Sequence, residues 1–199
     1  MIKLYRYDIL EMPNDEYACL ALTLPEDLLK RIDRMAHMGD RKRTLAGHLL
    51  ILGAAKELCG VSDPTILRTP AGKPYFADLP IKFSLSHSEE KVILAVSDRE
   101  IGADIERMRP CSLGVAKRFF TAKEQVYVFG KAPGEADFAL PKAEQDSALL
   151  NRFYEVWTKK EAYGKFVGSG LAATFSADST ERSFYTENDG EYALAVYEE

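Results

Sequence analysis

The chain has 199 residues, 46% hydrophobic and 29% charged, which is enough to bury a sizeable core in one generous domain or two small ones. Its formal net charge of −5 argues against general nucleic-acid binding, because that class of protein normally carries a basic balance. Three scattered cysteines without a C-x-x-C pair indicate neither a zinc cluster nor a disulfide framework. Without a signal peptide or an apolar run of membrane-spanning length, we expect a soluble cytoplasmic protein.

Strands and helices are mixed in the first sixty residues. Alternating side chains predict strands at residues 2–7 and 17–22. A capping-box spacing with an early proline predicts a helix that begins near residue 24 and runs to about Met38. Apolar residues at steps of three and four predict a second helix over residues 45–59.

Strand patterns follow in the middle of the chain. Residues 82–86 alternate, and residues 92–96 form a continuous apolar run that is typical of a buried strand. A short polar turn leads from this run into residues 101–106, which we predict to be its hairpin partner.

The remaining residues begin with a new helical pattern. It covers residues 115–129 and is followed by a weakly patterned polar stretch at 130–145, which we interpret as a mobile loop. A longer helix is predicted over residues 147–166. Short strands are predicted at residues 173–177, 183–186 and 191–197.

The two halves of the chain echo each other. Each has a helical region followed by antiparallel strands, and residues 91–98 resemble residues 191–198. We therefore predict an α+β fold of two similar halves, each a small antiparallel sheet packed with a long helix. The N-terminal half is placed at residues 1–102 and the C-terminal half at 103–199, with a ligand site at their junction.

Two carboxylates on a predicted strand carry the first chemical signal. Side chains two apart on a strand share a face, so Asp104 and Glu106 project together while Ile105 turns inward. With a third carboxylate from elsewhere they would form an oxygen cage for a hard divalent cation. The alternative is an ordinary acidic pair on the solvent side of an edge strand.

The last long helix provides the third carboxylate. Charged residues, Lys160 and Glu161, stand where its apolar stripe should continue. One interpretation is that Glu161 merely pairs with Lys165 at i,i+4, worth about 0.3–0.5 kcal/mol. We favour a polar seam, because the two charged motifs then explain each other.

Several groups suited to phosphate binding precede these motifs. Lys73 lies between a glycine and a proline in a rigid turn, and Ser86 and His87 end a strand. Arg43 lies in the first turns of a helix, within a basic cluster between residues 28 and 43. Taken singly, a lysine in a turn is usually just solvated and a lone histidine at a strand end is more often structural, and the basic helix start is also compatible with a solvated first turn.

Taken in order, these motifs resemble the 4′-phosphopantetheinyl transferases of the two-halved, pseudo-dimeric (Sfp-like) type. The resemblance covers roughly residues 25–172 and is far more specific than any single motif. The matching residues are Arg43-Thr44, Gly72-Lys73-Pro74, Ser84-Leu85-Ser86-His87, Gly102-Ala103-Asp104-Ile105-Glu106, Arg118-Phe119-Phe120 with Glu124, and residues 157–165.

The resemblance implies transfer of the phosphopantetheine arm of coenzyme A to a serine of an apo acyl or peptidyl carrier protein, with release of adenosine 3′,5′-bisphosphate. It implies that Asp104, Glu106 and Glu161 hold Mg²⁺ and that Lys160 and Lys165 lie against the pyrophosphate. The serine proton would pass to Glu161 or Glu124.

The resemblance also implies the contacts with coenzyme A. Lys73, Ser86 and His87 would contact its phosphates, and Arg43 and Arg31 would lie near the adenosine end. One chain would hold a complete site, so we expect a monomer that binds neither nucleic acid nor membrane. The alternatives are a non-catalytic coenzyme A-binding module and a Mg²⁺-dependent nucleotide phosphohydrolase, and the pathway of the carrier protein stays open.

Overall fold

The structure is a computed structural model that describes residues 1–131, 138–168, 174 and 177–199. No helix within these ranges is both long enough and apolar enough to cross a membrane. In chain order the elements are β1 (Lys3–Asp8), α1 (Asn14–Ala21), α2 (Glu26–Asp33), α3 (Met38–Cys59), β2 (Ile66–Arg68), β3 (Pro74–Phe76), β4 (Lys82–Ser88), β5 (Lys91–Ser97), β6 (Ile101–Arg107), α4 (Gly114–Phe119), α5 (Ala122–Phe129), α6 (Ser147–Val167), β7 (Tyr185–Asn188) and β8 (Tyr192–Glu198).

The two halves contain antiparallel sheets with the same strand order. In the N-terminal sheet β5 lies between β1 and β4, and in the C-terminal sheet β8 lies between β6 and β7. The two central strands are the segments whose sequences echo each other. This repetition confirms the predicted α+β fold of two similar halves, while the predicted boundary after residue 102 stays a prediction.

A long helix covers each sheet. In the N-terminal half, Ile51 and Ala54 of α3 pack against Leu94 and Val96 of β5. In the C-terminal half, α6 lies on β6 and β8. These two contacts bury the apolar faces of both helices, which is the main stabilising term for such layers.

The halves meet through an apolar layer between the two sheets. Ile93 and Ala95 of β5 pack there with Ile105 of β6 and with Leu194 and Val196 of β8. At one margin of this layer β4 lies beside β6. We call this margin, where β4 faces β6 under α6, the seam.

The predicted strand at residues 17–22 is wrong. This segment belongs to α1, which begins after Pro13 and carries two acidic residues in its first turn. Tyr17 and Ala21 are buried while Cys19, midway between them, is exposed, and this is the burial pattern of a helix face because residues 17, 19 and 21 would all share one face of a strand. Helical packing onto the core therefore prevailed over the local alternation.

The predicted hairpin between β5 and β6 is also wrong. Both edges of β5 are already paired, one with β1 and the other with β4. β6 therefore pairs with β8, about ninety residues further along the chain. Pairing over such a separation cannot be read from local pattern.

Several helix boundaries differ from the predictions. α2 ends at Asp33, and α3 already begins at Met38. The helical pattern at residues 115–129 is divided into α4 and α5 because Thr121 caps the second helix with a capping box. Most of the predicted strand at 173–177, and residues 132–137 of the predicted loop, lie outside the described residues.

Candidate active site

β6 carries two carboxylates on the face opposite its buried isoleucine. Ile105 packs into the layer between the sheets, so Asp104 and Glu106 point the other way, as the alternation predicted. Asp104 is only 4% exposed, and its Oδ1 accepts hydrogen bonds from Ser86 Oγ at 2.8 Å and from Lys165 Nζ at 2.6 Å. Its Oδ2 is buried and has no hydrogen-bond partner among the residues that the structure describes.

A close helix–strand contact brings the third carboxylate to this pair. A Cβ at Gly102 would lie 2.0 Å from the carbonyl oxygen of Ala162 in α6, so only glycine permits this approach. The contact sets the turn of α6 that carries Glu161 and Lys165 directly over β6. Lys165 forms an ion pair with Asp104 as a result.

The crowded carboxylates alter each other's proton affinity. Burial and the negative charges of Asp104 and Glu106, opposed by the positive charge of Lys165, together raise the pKa of Glu161 to about 7. Burial and the charge of Asp104 also raise the pKa of Glu106, although the hydrogen bond from Ser88 opposes that rise. The cluster therefore holds more negative charge than its lysine compensates.

This cluster has the donor chemistry of a site for a hard divalent cation. It offers carboxylate oxygens, which Mg²⁺ prefers, and the buried Oδ2 of Asp104 has no other partner in the described chain. Within that part of the chain, no three Asp, Glu, His or Cys side chains already surround one point as ligands. The residues present therefore fit a divalent cation because of their carboxylate oxygens and the unpartnered Asp104 oxygen. In this structure the positive charge that Asp104 contacts is the Lys165 ammonium.

Basic and hydroxyl groups follow the seam beside the carboxylates. Lys73 lies at one end and donates to the carbonyl oxygen of Ile101 at 3.0 Å. Lys165 lies at the centre and donates to Ser86 Oγ at 2.7 Å. Arg43 lies at the other end and donates to a backbone carbonyl of the turn between β4 and β5 at 2.7 Å. The seam therefore offers a row of groups suited to a ligand with several phosphates.

His87 extends this row at the surface. Partial loss of hydration and the positive charges of Arg43 and Lys165 lower its pKa, so its imidazole is mainly neutral at pH 7. Arg31 is exposed on α2, and no contact joins it to the described residues of the seam.

A cavity of about 280 Å³ opens beside these groups. It lies between the turn that holds Lys73, strand β4, and the face of α6 formed by Glu161, Gly164 and Lys165. Glu161 of the carboxylate cluster and the two lysines of the basic row, Lys73 and Lys165, thus border one space.

A larger cavity of about 630 Å³ lies elsewhere, where β1 and β5 approach β7 and β8. The two basic side chains among its described lining residues are paired within it, Arg6 with Glu187 at 2.5 Å and Lys91 with Asp8 at 2.7 Å. Of these two cavities, the smaller one is bordered by Glu161 and Lys165, which belong to the cluster with the unpartnered Asp104 oxygen, so we place the candidate active site there.

Comparison with known families decides the class of protein. Residues 12–99 match the family described as 4′-phosphopantetheinyl transferase, N-terminal. Residues 100–199, half of the chain, match the 4′-phosphopantetheinyl transferase superfamily. The chain belongs to the 4′-phosphopantetheinyl transferase superfamily.

Individual members of the superfamily match over most of this chain. It is 30% identical to the 4′-phosphopantetheinyl transferase gsp of Aneurinibacillus migulanus, over 94% of this chain and 76% of the relative. It is 35% identical to the 4′-phosphopantetheinyl transferase Sfp of Bacillus subtilis (strain 168), over 82% of this chain and 66% of the relative. It is 32% identical to the 4′-phosphopantetheinyl transferase HetI of Nostoc sp. (strain PCC 7120), over 82% of this chain and 67% of the relative. The resemblance inferred from the motifs, and with it the expectation of a phosphopantetheinyl transferase enzyme, is confirmed.

In this phosphopantetheinyl transferase, Lys160 does not join the seam cluster. Its side chain is 1% exposed, and its Nζ lies 2.9 Å from Glu124 Oε2. The same ammonium donates to the carbonyl oxygens of Thr174 and Ala177, at 3.1 and 2.9 Å. These three partners leave it buried between α5, α6 and the segment that follows α6.

Glu124 also lies apart from the carboxylate cluster of the seam, in a position that does not suit a base. It is fully buried, and its two oxygens accept hydrogen bonds from the backbone N–H groups of Thr121 and Ser179, both at 2.7 Å. The structure therefore brings together Asp104, Glu106, Glu161 and Lys165, and it leaves Glu124 and Lys160 as a separate buried ion pair.

Sequence reasoning missed a donor to the carboxylate cluster. Ser88 Oγ donates to Glu106 Oε2 at 2.9 Å. The available signal for Ser88 was the serine at every second position from 84 to 88, since such residues share one face of a strand.

Proposed function

We propose that this chain transfers the 4′-phosphopantetheine arm of coenzyme A to a serine hydroxyl of an apo acyl or peptidyl carrier protein. The serine oxygen forms a bond to the β-phosphorus, the pyrophosphate bond breaks, and adenosine 3′,5′-bisphosphate leaves. The observation that carries the proposal is the buried carboxylate cluster, with its unpartnered Asp104 Oδ2, beside a row of cations in the seam. Phosphoryl transfer depends mainly on positioning and charge neutralisation, which is what such a site supplies.

We propose Mg²⁺ as the metal, held by Asp104, Glu106 and Glu161. When bound, it would neutralise charge on the pyrophosphate oxygens. Lys165 lies beside the same carboxylates and would share this task, because an ammonium next to developing charge in a partly dry site stabilises it strongly.

The remaining predicted residues would bind coenzyme A along the seam. Lys73, Ser86 and His87 would contact its phosphates, with Arg43 and Arg31 toward the adenosine end. The order of Lys73, Ser86 and Arg43 along the seam supports this arrangement.

We assign acceptance of the serine proton to Glu161. Glu161 borders the seam cavity, whereas Glu124 is fully buried in its own ion pair, so Glu161 is the carboxylate within reach of a serine hydroxyl in that cavity. Glu124 and Lys160 are assigned a positioning role instead, because their buried ion pair holds α5 against the end of α6.

We further propose that the protein acts in the cytoplasm as a monomer, without nucleic-acid or membrane partners. All the groups named above come from one chain, so a second copy is not required to complete the site.

The test is incubation with coenzyme A, Mg²⁺ and a panel of apo carrier proteins, followed by intact-mass measurement. We expect one carrier to gain a single phosphopantetheine group, and we expect Asp104→Asn or a chelator to abolish the gain. Asp15→Asn is the matched control, since it makes the same chemical change at an exposed position of α1. Tight coenzyme A binding without transfer would indicate a binding module, and bisphosphate release without a carrier would indicate a phosphohydrolase.

A further inference from the structure

β4 presents three serines to the free edge of β6. The N–H groups of β6 that point away from β8 donate to these hydroxyls. Each donor residue is 19 positions after the serine that accepts from it, so β4 and β6 run side by side in the same direction. The contacts are Ser84 with Ala103 at 2.9 Å, Ser86 with Ile105 at 3.4 Å and Ser88 with Arg107 at 3.1 Å.

These contacts determine in which direction each serine hydroxyl can donate its hydrogen bond. A backbone N–H can only donate, so each serine oxygen acts as the acceptor and keeps its single proton for another partner. Ser86 gives that proton to Asp104 at 2.8 Å, and Ser88 gives it to Glu106 Oε2 at 2.9 Å. Ser84 makes the same backbone contact, but no carboxylate is bonded to it among the described residues.

We propose that Ser88 is a positioning residue that aims Glu106 at the metal. This inference rests on the proposed function, because a metal-binding Glu106 is part of it. Arg107 N–H holds the Ser88 oxygen in place, and the hydroxyl then holds one oxygen of Glu106 by a directed hydrogen bond. Without that bond, repulsion from Asp104 would be free to turn the Glu106 carboxylate away from the cluster.

The row of serines also provides its own control. Ser84→Ala and Ser88→Ala each remove one hydroxyl that accepts from β6, so both weaken the joint between the halves in the same way. Only Ser88→Ala also removes a donor from a carboxylate. A difference between the two variants therefore reports on the positioning of Glu106.

The experiment is a titration of Mg²⁺ into the chelator-treated full chain without coenzyme A. Binding is followed by the fluorescence of Trp157, the one tryptophan of the sequence and a neighbour that lowers the pKa of Glu106, and in parallel by calorimetry. We expect Ser88→Ala to raise the Kd for Mg²⁺ about 10- to 100-fold, as is usual for residues that orient metal ligands. Ser88→Thr, which keeps the hydroxyl, should restore most of the affinity, and Ser84→Ala should leave the Kd nearly unchanged.

Equal Kd values for Ser88→Ala and Ser84→Ala would overturn the inference and leave the proposed function intact. If the unaltered chain binds no Mg²⁺, both the inference and the magnesium site fail, and the carrier-protein assay then shows whether transfer itself survives. Should Ser88→Ala fold poorly, Ser88→Cys replaces it, because a thiol is a weak donor of similar shape. An unchanged Kd in Ser88→Cys would likewise overturn the inference.

Discussion

Replacing Gly102 with alanine should separate α6 from β6 and thereby dismantle the active site. The new Cβ would lie 2.0 Å from the Ala162 carbonyl oxygen and 2.4 Å from the Phe166 nitrogen. Both are backbone atoms and cannot turn away, so α6 would have to shift by about 1.4 Å for the oxygen to reach an ordinary contact of 3.4 Å. Overpacking of this kind typically costs about 1–3 kcal/mol, and we expect the upper end because no side chain can yield.

The shift should also move Lys165 away from Asp104; in the unaltered chain Lys165 Nζ lies 2.6 Å from Asp104 Oδ1. Urea unfolding and carrier-protein transfer are therefore measured on the same variant, and both should decrease. Gly53→Ala is the matched control. Gly53 is exposed within α3, an added Cβ would meet no other part of the described chain within 4 Å, and alanine there should add about 0.5–1 kcal/mol of stability. If Gly102→Ala were as stable and as active as the unaltered chain, the inferred role of the close contact would be refuted.

Three further predictions concern charged groups. Glu161 has a pKa of about 7 in the folded chain against an ordinary 4.5, so protonation of Glu161 stabilises the metal-free fold. This stabilisation is fully present below pH 4.5 and is lost as the pH rises through 7. The loss should reach up to about 3 kcal/mol in urea unfolding with chelator present, and Glu161→Gln should remove this part of the pH dependence. Lys160→Met should cost about 3–5 kcal/mol by leaving Glu124 buried without its cation, and adding Glu124→Gln should recover part of that loss in a double-mutant cycle. Asp104→Asn should lower the pKa of Glu161 toward its ordinary value, measured by carbon NMR of the carboxyl groups, because the charge of Asp104 helps to raise it.

Each of these predictions has a contrary result. An identical pH dependence in the unaltered chain and Glu161→Gln would show that Glu161 does not titrate as inferred. Independent effects of the Lys160 and Glu124 substitutions would show that the two side chains do not interact in solution. An unchanged Glu161 pKa in Asp104→Asn would place the two carboxylates farther apart than the structure does.

The sequence predicted those site features that depend on local geometry. Asp104 and Glu106 share a face because strand side chains alternate, and Glu161 and Lys165 share a face because they are four apart on a helix. The separate position of Lys160 also has a local cause. Lys160 and Lys165 are five residues apart, roughly 140° around a helix, so their side chains leave the helix in different directions.

The sequence by itself thus determined the two-halved α+β class, the long helices, the two apolar central strands and the ordered motifs of the family, because each follows from short-range periodicity or residue order. The tertiary structure alone decided that β6 pairs with β8 and not with β5, since that depends on which strand edges are already occupied. It also decided that Lys160 is buried against Glu124 while Lys165 reaches Asp104. A lysine ammonium pairs with a carboxylate that the folded chain places within reach. The distance between the two groups is set by the packing of helices and strands, which local sequence does not encode.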